Sequence, residues 1–151
     1  MNDGAAPIPP LVVELEVAVE PAAAFDAWVS RPSAWWPRGH TMSGDPATIV
    51  VEPFRGGRIY ERDRAGNELA WGEVLECEPP RRLRFAWHLF FPRAEATEVE
   101  LTFEPVAGGT RVRLVQTGWE VLGEPGAPRR DRTVQGWAAV TAPYRDLLAE
   151  A

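Results

Sequence analysis

The stretch WGEVLECEPPRRLRFAW, which runs from Trp71 to Trp87, decides the fold because its second half alternates almost without error. Leu83, Phe85 and Trp87 share one face of an extended strand, and arginine or alanine stands between them. Alternation of apolar and polar residues predicts a half-buried β-strand. The bulky row either fills a solid core or lines a cavity for a ligand, and this stretch alone leaves both alternatives open.

Segments with the same alternation occur along the chain and predict a sheet of about six to seven strands. The other predicted strands are LVVELEV (11–17), ATIVVEPF (47–54), RIYERD (58–63), ELAWGEVLECE (68–78), TEVELTFEP (97–105) and TRVRLVQTGW (110–119). Turn residues such as RAGN and AGG separate neighbouring strands, which is typical of antiparallel hairpins.

Helices are predicted on either side of these strands. PAAAFDAWV (21–29) and RPSAWWP (31–37) indicate two short helices after the first strand. At the end of the chain, Val134, Trp137 and Tyr144 belong to an apolar series with a spacing of three to four residues, which predicts a long amphipathic helix. A sheet with one apolar face needs such a helix as a cover, so the fold class is α+β.

Composition and charge limit the classes of partner and the cellular location that the sequence predicts. The net charge of −6 argues against a nucleic-acid binder, because such a protein pairs basic residues with phosphates. The apolar runs are too short to span a bilayer, and the start resembles no signal peptide. With a single cysteine, Cys77, the chain is expected to be cytoplasmic. Residues 1–10 are predicted to be a flexible arm, and residues 11–151 a single domain.

Most enzyme classes with recognisable motifs are excluded. The basic residues are all arginines, so neither a Schiff-base lysine nor a P-loop lysine exists. One cysteine and two histidines cannot build a Cys/His zinc site, and the motifs G-x-S-x-G and G-x-G-x-x-G are missing. The sequence therefore predicts no catalytic residue, no metal and no cofactor, and it favours a protein that is not an enzyme.

Five segments in order carry a resemblance to a known family: AWW (34–36), FRGGRIYERDRAGNELAWGEV (54–74), PPRRLRFAW (79–87), GGTRVRLVQTGW (108–119) and GW (136–137). They resemble the START-like (SRPBCC) superfamily, in the branch related to the C-terminal domain of the activator of Hsp90 ATPase. The resemblance implies a helix-grip fold, in which a curved antiparallel sheet wraps around the C-terminal helix and often leaves a cavity. Members of the superfamily bind lipids, cyclise polyketides or assist chaperones.

The predicted ligand-binding residues combine the inward row of the sheet, facing rings of the last helix and two polar side chains. They are Trp36, His40, Glu61, Phe85, Trp87, Val99, Phe103, Trp137 and Tyr144. His40 follows the tryptophan pair in a loop that could cover a cavity. Glu61 falls on the inward face, where a carboxylate is costly unless paired, so it is either a polar group of the pocket or a sign of a β-bulge. His88 alternates outward and is expected on the surface.

The leading hypothesis is non-enzymatic binding of a small, largely apolar molecule of the lipid, polyketide or flavonoid type between the sheet and the last helix. One alternative is an aromatase/cyclase-like enzyme in which His40, Glu61 or Tyr60 supplies acid–base help in the same pocket. Another is a chaperone-linked or regulatory protein-interaction module. An exposed edge strand would also allow a homodimer.

Overall fold

The computed structural model describes residues 7–149, in which a seven-stranded antiparallel sheet packs against one long helix. The strands are β1 (Leu11–Val17), β2 (Thr48–Val51), β3 (Arg58–Arg62), β4 (Glu68–Glu78), β5 (Arg82–Trp87), β6 (Thr97–Val106) and β7 (Gly109–Thr117). The helices are α1 (Pro21–Ser30), α2 (Pro32–Trp35) and α3 (Gly126–Ala149), and single 3-10 turns lie at Arg38–His40, Arg93–Glu95 and Trp119–Leu122. The predicted α+β helix-grip fold is confirmed.

The strand order is β1-β7-β6-β5-β4-β3-β2, so strands that follow one another from β2 to β7 are neighbours, and β1 closes the far edge beside β7. The inward row continues across the central strands, where Leu83 of β5 lies opposite Leu101 of β6, and Leu101 lies opposite Leu114 of β7. All three side chains are fully buried. This row is therefore the floor on which α3 and the short helices pack.

Two irregularities interrupt the ladder of the curled sheet. The register of β3 against β4 shifts between Ile59 and Tyr60, and that of β4 against β5 shifts between Val74 and Glu76. Bulges of this kind bend a strand and increase its twist. Gly72 lies between the two shifts, where a Cβ would stand 2.1 Å from the carbonyl oxygen of Ala86. Only glycine permits this close approach of β4 and β5.

The closing helix is longer than the apolar pattern predicted. It begins at Gly126, inside a segment that reads as turn-rich, and it continues through Pro143. Its buried face includes Trp137 and Tyr144, as expected, together with Val140, but Val134 is 42% exposed. The prediction that Val134 belongs to the apolar face is wrong, because Thr133, Gly136 and Trp137 form the inward face of α3 at this level and Val134 lies outside it.

Residues 1–6 of the predicted N-terminal arm lie outside the described residues. The adjoining segment is held against α3, because the Arg130 guanidinium donates hydrogen bonds to the carbonyl oxygens of Pro9 (2.7 Å) and Pro10 (2.9 Å). These hydrogen bonds fix the two residues that immediately precede β1.

Aromatic rings fill the middle of the space between the sheet and α3. We term this group the tryptophan core; its members are Trp28, Trp35, Trp36, Trp71, Trp87, Trp137 and Tyr144. Neighbouring ring centroids are 4.8 to 6.4 Å apart in tilted or edge-to-face arrangements, the spacing at which aromatic pairs attract one another. The void beside these rings measures only about 10 Å³. This part of the interior is solid.

Candidate functional site

A pocket of about 220 Å³ lies at one end of the tryptophan core, between the β5–β6 loop (residues 88–96) and the first half of α3. We term it the end pocket. Its lining comprises Trp36, His40, Trp87, His88, Leu89, Phe90, Phe91, Glu95, Thr97, Gln116, Trp119, Arg129, Arg132, Thr133, Gly136, Trp137 and Val140. A dry apolar cavity of about 150 Å³ can hold benzene. The end pocket therefore has room for one or two fused rings.

The pocket exists because the sheet narrows at this end. β5 ends at Trp87 and β6 begins at Thr97, so the intervening loop leaves the sheet plane while α3 continues above it. The His88 amide still donates to the Trp71 carbonyl oxygen at 2.8 Å, which anchors the start of the loop. Phe90 then adopts a positive φ of 73°, a conformation that is strained for a bulky residue. Strain of this kind tends to occur at ligand sites.

A buried glutamine fixes the inner wall of the end pocket. The Gln116 side chain accepts a hydrogen bond from Trp137 Nε1 (2.7 Å) and donates one to Thr97 Oγ1 (2.7 Å). Its backbone carbonyl oxygen accepts a third bond, from Trp119 Nε1 at 3.0 Å. These bonds hold the rings of Trp119 and Trp137 in fixed orientations. A pocket that is preorganised in this way loses little entropy when a ligand enters.

Both histidines of the chain line the end pocket. His88 is only 8% exposed, and its Nδ1 lies 3.0 Å from the Phe91 carbonyl oxygen. The expectation of a surface His88 is wrong, because the alternation of β5 stops at Trp87 and the chain turns inward there. His40 is half-buried on the opposite side, where its backbone carbonyl accepts a hydrogen bond from Trp36 Nε1 at 3.0 Å.

Glu61 is fully buried but lies outside the end pocket. Its carboxylate accepts hydrogen bonds from the Met42 amide, from the Ser43 amide (3.1 Å) and hydroxyl (2.6 Å), and from Trp71 Nε1 (2.8 Å). The β-bulge that was one explanation of an inward Glu61 is present beside it, at Ile59 and Tyr60. Glu61 thus fastens the loop after His40 to the tryptophan core.

An arginine from the first turn of α3 closes the pocket on the helix side. The guanidinium carbon of Arg129 lies 3.6 Å from the centre of the Phe91 ring, a cation–π contact. Its Nη1 lies 2.9 Å from Glu95 Oε1, within ion-pair distance but off the direction of a hydrogen bond, and its Nε has no hydrogen-bond acceptor among the described residues. The side chain is only 15% exposed.

Four of the nine predicted binding residues line the end pocket: Trp36, His40, Trp87 and Trp137. The other five lie outside it, namely Glu61, Phe85, Val99, Phe103 and Tyr144. Phe85 borders the small void of the tryptophan core, and Phe103 packs edge-to-face on Phe25 with ring centroids 5.3 Å apart. The Tyr144 hydroxyl donates to the Ala24 carbonyl oxygen at 2.7 Å.

Three residues of the site were not predicted from the sequence, namely Gln116, His88 and Arg129. Gln116 had a usable signal, because it shares the inward face of its strand with Val112 and Leu114 and is a polar residue in an apolar row. Arg129 gives no such signal, since it precedes the apolar series of the last helix. Within residues 7–149, no cluster of three or more metal-ligating side chains occurs, and no helix is both long and apolar enough to cross a bilayer.

Comparison with known protein families identifies the family of this chain. A family model described as "Activator of Hsp90 ATPase homolog 1-like protein" matches residues 18–148. The match spans most of the sequence, and the chain therefore belongs to this family. The resemblance that the sequence segments carried is confirmed. Among curated proteins, none matches the chain.

Solved structures with the same fold extend over nearly the whole chain. One is described as an anthrahydroquino-γ-pyrone synthase, Txn09; it is 28% identical, with a TM-score of 0.61 and coverage of 93% of this chain and 97% of that one. A protein from Rhodobacter sphaeroides is 25% identical, with a TM-score of 0.69 and coverage of 99% and 97%. The Aha1 dimer from Colwellia psychrerythraea is 17% identical, with a TM-score of 0.67 and coverage of 94% and 97%, and this likeness shows the fold alone.

Proposed function

We propose that the protein binds a small, largely apolar molecule in the end pocket without converting it. The observation that carries the proposal is the pocket itself, about 220 Å³ of space lined by four tryptophans beside a solid core. Trp36, Trp87, Trp119 and Trp137 offer large, rigid apolar surfaces, and each Å² of apolar surface removed from water contributes about 25 cal/mol. A few polar groups among apolar walls are the usual composition of small-molecule sites.

Gly136 offers a direct way to close the pocket. It lies on the pocket face of α3 with Thr133 and Val140, and a Cβ at this position would meet no atom within 4 Å. Leucine there would extend into open space, and it is a better helix former than glycine. We therefore expect Gly136→Leu to abolish binding while it maintains or raises the melting temperature.

The experiment uses indole and naphthalene as neutral probes, with tryptophan fluorescence and thermal shift as readouts. The wild type should bind both probes and Gly136→Leu neither, whereas Ala139→Leu is the matched control, because Ala139 is exposed on α3 and outside the pocket lining. Unchanged binding by Gly136→Leu, or no binding by the wild type, would contradict the proposal.

A second candidate function is an enzyme of the cyclase type. Two observations favour it: His40 and His88 both line the end pocket, and the 28% identical structure is described as a synthase. Removal of a general acid or base lowers turnover by about 10²–10⁴-fold. Mass spectrometry of products formed from a β-polyketone probe would test this candidate. A product whose amount is the same for wild type and for His40→Gln and His88→Gln would remove it.

A homodimer is also part of the proposal, since the Aha1 relative from Colwellia psychrerythraea is a dimer. The edges of this sheet are β1 and β2, and unpaired edge strands can add a strand from a second copy. Light scattering measures the mass directly; a monomer of 16.7 kDa at high concentration would contradict the dimer.

A further inference from the structure

The end pocket is basic although the protein is acidic. The chain carries a net charge of −6, yet the pocket lining contains Arg129 and Arg132 against a single acidic residue, Glu95. Within residues 7–149, no acidic side chain lies within ion-pair distance of Arg132. A local excess of positive charge inside an acidic protein favours a ligand that carries negative charge.

Within this basic lining, Arg129 is the residue whose hydrogen-bond donors lack a partner. Its Nε and Nη1 are buried without an aligned acceptor, while Phe91 and Glu95 hold the guanidinium in place. Buried donors that lack an acceptor are costly, and such a group in a native fold calls for a partner. A guanidinium presents parallel N–H donors that match both oxygens of a carboxylate. The Glu95 carboxylate, which is 40% exposed, already lies at that position without forming an aligned bond.

We propose that the ligand is a small aromatic carboxylic acid, whose rings lie among the tryptophans and whose carboxylate replaces Glu95 on Arg129. This inference rests on the proposed function, because it assigns a chemical class to the ligand of the same pocket. The volume of about 220 Å³ admits an acid of one or two fused rings. Glu95 lies on the β5–β6 loop, so its displacement requires movement of that loop only.

The test compares naphthalene-2-carboxylate with the neutral naphthalene-2-carboxamide, measured by isothermal titration calorimetry. The wild type should bind the acid about tenfold more tightly, the effect of one good charge-assisted contact. Arg129→Gln should bind both probes with the affinity of the amide. The matched control is Arg145→Gln, an exposed arginine of the same helix outside the pocket lining, which should keep the preference.

Glu95→Gln sharpens the test, since it removes the carboxylate that competes for Arg129. It should raise the affinity for the acid about threefold and leave that for the amide unchanged. If Arg129→Gln fails to fold, Arg132→Gln and Glu95→Gln still decide. A loss of the preference in Arg132→Gln, which would assign the carboxylate to Arg132, or an unchanged acid affinity in Glu95→Gln would overturn the inference. Equal binding of both probes by the wild type would overturn it while the proposed function stands. Binding of neither probe would overturn both.

Discussion

The tryptophan core and the end pocket are built from the same kind of residue, yet one is filled and the other is open. The void in the core measures about 10 Å³ and the pocket about 220 Å³. Trp36, Trp87 and Trp137 belong to both and form the wall between them. In the core, the short helices α1 and α2 supply further rings from above the sheet, whereas the pocket lies mainly between the first half of α3 and the β5–β6 loop.

The difference shows that a high tryptophan content does not by itself produce a cavity. Rings that meet rings from a facing element interlock to the density of a protein interior. Space is left where a strand ends early, as β5 does at Trp87, and the chain continues as a loop. The location of strand ends thus matters more for the pocket than the number of aromatic side chains.

The largest expected effect on stability comes from truncating one leucine in the tryptophan core and one in the end pocket. Leu83 is fully buried beside the core void, and Leu89 is 8% exposed in the pocket lining. Leu83→Ala creates a new cavity in a solid region and should cost about 3–4 kcal/mol in the free energy of unfolding. Leu89→Ala enlarges existing space next to a loop and should cost about 1–2 kcal/mol.

Urea melts of the ligand-free protein measure both costs, with equal m-values as the control that both variants unfold from a comparable state. Costs that agree within about 0.5 kcal/mol, the limit of ordinary surface effects, would show that the pocket region is packed as tightly as the core.

The second prediction concerns Glu61, whose hydrogen bonds hold the loop after His40 against the tryptophan core. Glu61→Gln keeps the shape but places an amide donor among groups that already donate, namely Met42, Ser43 and Trp71. Since buried donors without an acceptor are costly, we expect a loss of about 2 kcal/mol in stability. Hydrogen exchange should show faster opening of the Met42 and Ser43 amides.

Glu73→Gln is the matched control, because Glu73 is a partly exposed residue of the neighbouring strand whose partner is the exposed Arg93. It should change stability by less than about 0.5 kcal/mol. A Glu61→Gln variant that is as stable as this control, with unchanged exchange at residues 42–43, would show that Glu61 does not fasten the loop.

The sequence predicted the sheet and the closing helix because alternation and helical spacing directly report which side chains are buried. Leu83 and Phe85 were assigned to one face of their strand from their positions alone, and the structure buries both. The pocket could not be predicted in the same way, since it depends on where an alternating pattern stops. His88 continues the alternation as an outward residue in the sequence but turns inward in three dimensions, and Arg129 lies before the apolar series of its helix.

The smallest expected effect on stability concerns Tyr144, which donates a hydrogen bond to α1. Its contribution to stability should depend on pH. Burial raises the pKa of the Tyr144 phenol well above its ordinary value of about 10. The folded state therefore keeps the proton that the unfolded state loses. Stability from this group is complete below pH 10 or so and falls by about 1.4 kcal/mol per pH unit above it. Because the chain has no lysine, lysine side chains do not mask this alkaline effect.

Tyr144→Phe removes the hydrogen bond to the Ala24 carbonyl and should cost about 1 kcal/mol at neutral pH. It also removes the alkaline loss, so the stability curves of the variant and the wild type should converge and then cross between pH 10 and 11 or so. Urea melts from pH 7 to about pH 11 measure both effects, with arginines still charged throughout. Cys77→Ser is the control for the thiol, whose pKa burial also raises. Parallel curves over the whole range would show that Tyr144 ionises as readily in the folded as in the unfolded protein, and hence that water reaches into the tryptophan core.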